Sequence, residues 1–438
     1  MKLRYLFFCT FLLTQPARAG DDTNAGDDVR RGTTLTLEEA TRAALANNPA
    51  IKASRAKWEM MKARIPQAAA WDDPMAGVDF ERSGTTQFGT YTDAEWMVSQ
   101  KIPLAGKNRS RARAASAEAL ATFEDLRRQE LDVVAKIRAA YFRLIEAGAQ
   151  LEVNRRNETL VSQFLEISRS KYSVGTQTQA SVLTAETDLV RIEEDRRDLT
   201  RDLSNAQSRL NVLMNRPART PVGAPLDVSV GDARFDARQL EALALQNRPE
   251  LQRGENRVAV EQQRLALAKR DWIPEPQVRV EARHFKAGND TFREYDTGIF
   301  FNVPLGNWRK YSAQQREARS SMEMATQELQ NARAETAGLV RDALKKVETF
   351  HHHVALFRDR LLPLAGQSVE ASRAGYETDK TSFLELITAQ RTLRDSEATY
   401  HRHLADFRIA LAELEAVVGV DLHIFPPAGL TTTSAPPK

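Results

Sequence analysis

Residues 172–189 read YSVGTQTQASVLTAETDL, and residues 376–393 read YETDKTSFLELITAQRTL. The two segments align without a gap at an offset of 204 residues, and they share the first Tyr, a Thr-Ala pair and the last Leu. Two further pairs of segments match at offsets of 200 and 201: residues 44–49 with 244–249, and residues 102–104 with 303–305. Three separate matches at nearly one spacing predict that the chain consists of two copies of one unit.

A proline-rich segment follows each of the two copies. Residues 215–235 contain Pro217, Pro221 and Pro225 and are predicted to form a linker, while residues 421–438 form a Pro-rich C-terminal tail. We therefore predict the first repeat over residues 20–214 and the second over residues 236–420.

The N-terminus has the pattern of an export signal. Lys2 and Arg4 form a short positive region, residues 3–13 form an apolar core, and the sequence Ala17-Arg18-Ala19 resembles a cleavage site. Residues 1–19 are therefore predicted to form a cleaved signal peptide. Because Cys9 is the single cysteine of the chain, the mature protein would contain none. No later segment reaches roughly 18 consecutive apolar residues, so no membrane-spanning helix is predicted.

The composition is typical of long helices. The chain of 438 residues is 42% hydrophobic and 28% charged but only 7% aromatic. Its net charge of +3 arises from interleaved basic and acidic residues, so no concentrated basic surface for nucleic-acid binding is predicted.

Each copy is predicted to contain a helix, two strands, a long helix and a returning helix. The first helix begins with a capping-box pattern at Thr36 and is expected to run toward Pro66. A proline-free stretch predicts a helix over residues 107–172, roughly 100 Å long at 1.5 Å per residue. Heptad spacing of apolar residues on the long and returning helices predicts coiled-coil hairpins. Pro363 is expected to kink the second long helix.

The predicted strands alternate between apolar and charged residues, as outer-membrane barrel strands do. The face predicted to line a lumen consists of Asp79, Glu81, Glu95, Arg279, Glu281 and Arg283. A soluble hairpin packed on helices is the alternative. Since four strands cannot close a barrel, closure would require several chains.

Two tandem copies with this order of elements resemble the TolC family of outer-membrane efflux factors, over roughly residues 36–420. Residues 171–176, KYSVGT, resemble the family's tip motif, and residues 103–107, PLAGK, resemble its strand-to-helix junction. The resemblance implies a mainly α-helical homotrimer with a 12-strand barrel in outer-membrane lipid and a periplasmic helical tunnel. It also implies docking to a periplasmic adaptor and to an inner-membrane pump of the resistance-nodulation-division (RND) type. The junction is similar to that of members paired with heavy-metal pumps of this type.

The resemblance also implies functional residues at the hairpin tips. The adaptor-docking positions are Tyr172, Val174, Gly175, Thr176, Tyr376, Asp379 and Lys380. Tyr376 and Glu385 match two positions of the family's periplasmic gate, whereas Thr381 and Thr388 replace its basic and second acidic residues. The alternative for Glu385 is an ordinary solvated helix residue.

No catalytic, metal or cofactor site is predicted. Successive helical residues point about 100° apart, so His351, His352 and His353 cannot bind one ion together. His351 and His403 fall on seam positions and are expected to be hydrogen-bonded packing residues. The family resemblance implies a passive exit duct of a tripartite efflux system in a Gram-negative outer membrane, with metal or drug cargo. A soluble periplasmic coiled-coil scaffold or adaptor is the alternative.

Overall fold

A computed structural model describes residues 34–81, 93–226, 235–287, 290–303, 306–378 and 380–422. The predicted signal peptide, part of the linker and nearly all of the tail lie outside these ranges. The first repeat contains α1 (Leu37–Asn47), α2 (Pro49–Ala69), β1 (Met75–Glu81), β2 (Asp93–Lys101), α3 (Lys107–Ser173) and α4 (Gln179–Leu213). The second contains α5 (Ala237–Asn247), α6 (Pro249–Ala268), β3 (Pro276–Ala287), β4 (Asp290–Phe301), α7 (Trp308–Leu356), α8 (Leu362–Glu377) and α9 (Phe383–Val418).

The first helix begins where the capping box predicts but ends earlier than expected. The Glu39 backbone N–H donates to the Thr36 hydroxyl at 3.2 Å, and the Thr36 N–H donates to the Glu39 carboxylate at 3.0 Å. The helix stops at Asn48, whose side chain caps a second helix that begins with Pro49. The prediction of one helix running to Pro66 was therefore wrong, because proline at the first position of a helix starts a new one.

The long helix α3 has 67 residues, from Lys107 to Ser173, and confirms the predicted 107–172 helix. It packs against α2 and α4 of its own repeat and against α6 and α9 of the other. Along its length it contributes Ile137 and Tyr141 to the core of the first repeat. Near the hairpin tips it contributes Phe164 to a cluster that also contains Tyr376 and Ile387 of the second repeat. The two repeats therefore share a core at the tips.

The second outgoing helix is irregular just before Pro363. Residues Phe357–Leu361 form a π-helical turn between α7 and α8. Pro363 cannot donate a backbone hydrogen bond to the residue four positions earlier, and a widened turn accommodates this loss. The disturbance predicted at Pro363 therefore takes the form of a π-turn.

The four strands form one antiparallel sheet in the order β1-β2-β3-β4. Within the described residues β1 pairs only with β2, and β4 pairs only with β3, so both outer edges are open. All four connections between strands and helices lie at the end of the sheet where Met75, Lys101, Pro276 and Phe301 lie. In the part of the chain described, no helix has the length and apolar character needed to cross a membrane.

Candidate functional site

The predicted lumen residues lie on one face of the sheet. Residues that pair directly on neighbouring strands share a face of the sheet. Asp79 pairs with Glu95, and Glu95 pairs with Arg283, so these three residues form one polar row across β1, β2 and β3. Glu81 lies two residues along β1 from Asp79 and shares this face. Arg279 donates to the Glu281 carboxylate at 3.1 Å on the same face. Met97, the apolar residue within this pattern, lies opposite Glu281.

The opposite face of the sheet is apolar and exposed. Its large side chains are 44–74% exposed: Val78, Phe80, Trp96, Val98, Val280, Tyr295 and Ile299. On the central strands, Ser99 of the polar face is buried and Glu281 is half-buried. In a water-soluble protein the apolar face of a sheet is the buried one, so this sheet has the inverse arrangement.

The first tip is a tight helix end with exposed side chains. The Gly175 N–H donates to the Tyr172 carbonyl and the Thr176 N–H donates to the Lys171 carbonyl, both at 3.0 Å. This bond pattern requires a left-handed residue after the helix, and Gly175 supplies it with a φ of +76°. Tyr172, Val174 and Thr176 are exposed around this turn. They are therefore accessible to a partner.

The second tip closes by a different set of contacts. Thr381 donates its hydroxyl to the Ser372 carbonyl at 2.9 Å and packs so tightly on Gly375 that a Cβ there would approach its methyl group to 2.5 Å. Lys380 is exposed, whereas Asp379 lies outside the described residues. The alignment did not single out Gly375, although its position directly before Tyr376 is a signal that could have identified it.

Tyr376 is not an exposed docking residue as the resemblance implied. Its side chain is only 1% exposed, and its hydroxyl lies 3.1 Å from the Ser168 hydroxyl. Lys171 donates to the Tyr376 carbonyl at 2.7 Å, and its ammonium lies 4.5 Å from the ring centroid. Because both hydrogen bonds cross from α3 to α8, Tyr376 joins the two tips within one chain.

Glu385 is exposed and has a local structural role. It is the third residue of α9 and forms a capping box with Ser382, with two reciprocal hydrogen bonds of 3.2 Å. In this chain its carboxylate lies in the first turn of α9 and is bound to the backbone N–H of Ser382. Within one chain, Glu385 therefore caps a helix. Its role in a gate remains a prediction about the assembled channel.

Two polar contacts that the sequence did not identify connect the hairpins near the tips. Arg391 of α9 forms a two-pronged ion pair with Asp188 of α4, in which Nε lies 3.2 Å from Oδ2. Beside it, Gln390 donates to the buried Asn157 at 3.3 Å. Both contacts line a cavity of about 350 Å³ between α3, α4 and α9. The opposite charges of Asp188 and Arg391 are the only sequence signal that could have suggested them.

The seam histidines pack as predicted, His351 on Phe407 at 5.4 Å and His403 against His353. The rings of His353 and His403 lie 4.8 Å apart, and Phe357 packs on His403 at 5.1 Å. The Nδ1 atoms of both histidines are buried without a hydrogen-bond partner, so the expectation of a hydrogen-bonded packing histidine was wrong for His403. Burial and the neighbouring His353 lower the pKa of His403. Among the described residues no three potential metal ligands cluster.

Comparison with known proteins identifies the class of protein to which this fold belongs. The outer-membrane channel OprN superposes with a TM-score of 0.75 at 15% identity, covering 88% of this chain and 90% of OprN. The fold is therefore that of an outer-membrane channel subunit with two helical repeats. Residues 40–216 and 240–420 match the family described as outer membrane efflux protein. Since these segments make up most of the chain, the protein belongs to this family, whose members are channels and not enzymes.

Two relatives in the comparison are named for different processes. The alkaline protease secretion protein AprF of Pseudomonas aeruginosa is 24% identical over 330 residues, which are 71% of this chain and 66% of AprF. The toluene efflux pump outer membrane protein TtgF of Pseudomonas putida is 23% identical over 290 residues, which are 63% of this chain and 60% of TtgF. The chain therefore aligns with less than two thirds of either relative.

Proposed function

We propose that this chain forms the exit duct of a tripartite efflux system in a Gram-negative outer membrane. Three copies would join their four-stranded sheets into a 12-strand barrel and their helices into a periplasmic tunnel. Cargo would pass down the lumen passively, with energy supplied by the inner-membrane pump.

The observation that carries this proposal is the inverse exposure of the sheet. Its exposed face holds Val98, Val280 and Ile299, whereas the opposite face holds Glu95, Glu281 and Arg283. Lipid stabilises the first face and a water-filled lumen stabilises the second. The open edges of β1 and β4 would pair with neighbouring chains, which removes unpaired backbone groups from the membrane.

The tips are the proposed site of adaptor docking. Val174 and Thr176 of the first tip and Lys380 of the second are exposed and lie at the end of the helices opposite the sheet. The relatives differ in cargo, one named for protease secretion and one for toluene efflux, so the adaptor and pump would determine the substrate. An RND-type pump, with a metal or a drug as cargo, is the combination that the sequence resemblance favours.

A soluble periplasmic scaffold is the second candidate, and the sheet argues against it. In that protein the apolar face would have to be covered by the chain's own helices. The exposed side chains of Trp96, Val98 and Val280 show that the described helices leave it uncovered.

Arginine substitutions on the two faces of β3 test the proposal. Val280→Arg should destabilise the inserted barrel by about 2–4 kcal/mol if the residue lies near the bilayer midplane, because the charge would meet lipid. Glu281→Arg, one residue away, should be tolerated because that side chain faces the lumen. The measurement is the yield of heat-modifiable, carbonate-resistant protein in outer-membrane fractions. Equal tolerance at both positions would contradict the duct and favour the scaffold.

A further inference from the structure

The sheet joins the helices through a narrow zone of the molecule that we call the collar. It consists of residues 70–75, 101–111, 269–275 and 306–310, which include the starts of α3 and α7. All of them lie at or beyond the same end of the sheet. In the proposed duct this zone would lie where the barrel leaves the membrane on the periplasmic side.

Three of the five tryptophans of the chain lie in the collar, and all three are exposed. Trp71 is 58% exposed, Trp272 is 53% exposed and Trp308 is 67% exposed. Trp71 and Trp272 occupy equivalent positions in the two repeats, each four residues before a strand. An indole combines a large apolar surface with one N–H donor, so it is most stable where an apolar phase meets a polar one.

The collar also carries an excess of positive charge. Its four segments contain eight basic and four acidic residues, a net charge of +4 in a chain whose total is +3. Among the acidic residues, the Glu275 carboxylate forms ion pairs with the ammonium groups of Lys101 at 2.8 Å and Lys107 at 3.2 Å. The remaining carboxylates are Asp72, Asp73 and Asp271. The excess is therefore not neutralised within the collar.

Five exposed cations of the collar have no carboxylate partner among the described residues: Arg109, Arg111, Lys269, Arg309 and Lys310. The guanidinium of Arg309 lies 5.6 Å from the Trp308 ring centroid, and the ammonium of Lys310 lies 5.9 Å from that of Tyr311. The exposed ring of Trp308 and the half-buried ring of Tyr311, each with an unpaired cation beside it, suit a partner that offers both an apolar phase and an anion.

We propose that the collar binds the headgroups of anionic phospholipids in the periplasmic leaflet of the outer membrane. The inference rests on the proposed function, because it requires the sheet to lie in lipid. The collar continues the exposed apolar face of the sheet, so lipid that covers that face brings its headgroups to the collar. The tryptophans lie at the boundary of the acyl region, and Arg109, Arg309 and Lys310 bind phosphate groups.

Depth-dependent quenching tests the position of the tryptophans. Five single-tryptophan proteins, with the other four changed to Phe, are reconstituted in vesicles of phosphatidylethanolamine and phosphatidylglycerol. Some of these lipids carry bromine either near the ester carbonyls or near the chain ends. Trp71, Trp272 and Trp308 should be quenched more strongly by the shallow bromines. Trp96, on the apolar face of the sheet, reports insertion, and Trp58, which packs on Phe123 in the helical part at 5.1 Å, should be unaffected.

A charge-matched pair of variants tests the choice of lipid. The triple variant R109Q/R309Q/K310Q removes three of the five unpaired cations of the collar. The control R155Q/R197Q/K345Q removes three exposed cations of the helices. Electron paramagnetic resonance with spin-labelled lipids measures the selectivity for phosphatidylglycerol over phosphatidylethanolamine. Selectivity should fall severalfold in the collar variant and remain unchanged in the control.

The outcomes separate this inference from the proposed function. If Trp96 is quenched but the three collar tryptophans are not, or if both triple variants keep the same selectivity, the collar does not bind anionic lipid. If Trp96 itself is not quenched, the sheet does not lie in the membrane and the proposed duct fails as well.

Discussion

At the scale of single residues, the Glu385 carboxylate closes a capping box at the start of α9. In the proposed trimer, three copies near one axis would also attract cations. Glu385→Gln separates the two roles, since Gln can keep the cap while it removes the charge. We expect this variant to lower the cation preference of the channel in planar bilayers and to weaken block by multivalent cations.

The control for the gate experiment is Glu377→Gln, an exposed carboxylate of the same tip that pairs with Arg373 at 3.2 Å. It removes one charge per chain without reaching the start of α9. Glu385→Ala is less informative because loss of a cap costs about 1 kcal/mol and alters the local helix. Unchanged selectivity in a correctly assembled Glu385→Gln channel would show that this residue does not face the pore.

The seam at His403 should weaken in acid. Because burial and then His353 lower the pKa of His403, the unfolded chain binds its proton more readily than the folded one. The stabilisation is present above the ordinary value of about 6.5 and is lost as the pH falls through the folded pKa. The groups that face this site are His353, Arg402 and Asp406, and Asp406 is held by Arg143 of α3.

We therefore expect the melting temperature of the purified protein, followed by far-UV circular dichroism, to fall as the pH drops below about 6.5. In His403→Phe this fall should be smaller, because no charge has to be buried among Phe350, Phe357 and His353. His352→Phe on the exposed side of α7 is the matched control and should melt like the parent at each pH. An identical pH dependence in His403→Phe would show that this seam does not titrate.

Burial explains which single residues the sequence could not place. The alignment identified Tyr376 as a tip residue, but only the packing of α3 on α8 buries its ring beside Ser168. Likewise, the ion pair of Asp188 and Arg391 joins residues far apart in sequence. The periodicity of apolar residues predicts which face of a helix is buried. It does not predict which residue of another helix contacts that face, because this depends on how the hairpins cross.

At the scale of elements, the sequence predicted those helix starts and strand faces that short local patterns determine. The capping box at Thr36 and the proline-free stretch after Gly106 gave the starts of α1 and α3 correctly. Alternation placed charged and apolar strand residues on opposite faces of the sheet. The helix break at Asn48 was missed because the capping role of Asn48 and the position of Pro49 were not combined.

The tips should be the part of the hairpins that an adaptor contacts. Cysteines at Thr176 or Lys380, both exposed, should crosslink to a co-expressed adaptor in the intact envelope. Arg196→Cys is a control at another exposed position, on α4, about 25 Å from the start of that helix at 1.5 Å per residue. Western blotting for the heterodimeric product measures the result. Crosslinks at Arg196 alone, or at no position in a working pump, would remove the docking assignment.

At the scale of the whole molecule, the proposed duct makes the chain one repeating sector of a larger closed structure. Its sheet has an apolar face without a cover and two edges without a partner among the described strands. β1 and β4 run antiparallel, so β4 of one chain can continue into β1 of the next in the same up-and-down order. Such a head-to-tail contact closes into a ring only at a fixed number of copies.

Ring size can be counted by covalent linkage across that contact. Ala76 of β1 and Ile299 of β4 lie on the apolar face near the same end of the sheet, and both are exposed. Within one chain they are separated by three strand spacings, about 14 Å, so a shorter bis-maleimide can link only neighbouring chains. The variant A76C/I299C should give covalent dimers and trimers on denaturing gels and nothing larger, because three sectors complete the ring. Either single cysteine should give monomers alone, since equivalent positions in a trimer lie far apart. Covalent products larger than trimers would indicate an open assembly. Dimers from a single cysteine would indicate a face-to-face assembly, and either result would contradict the trimer.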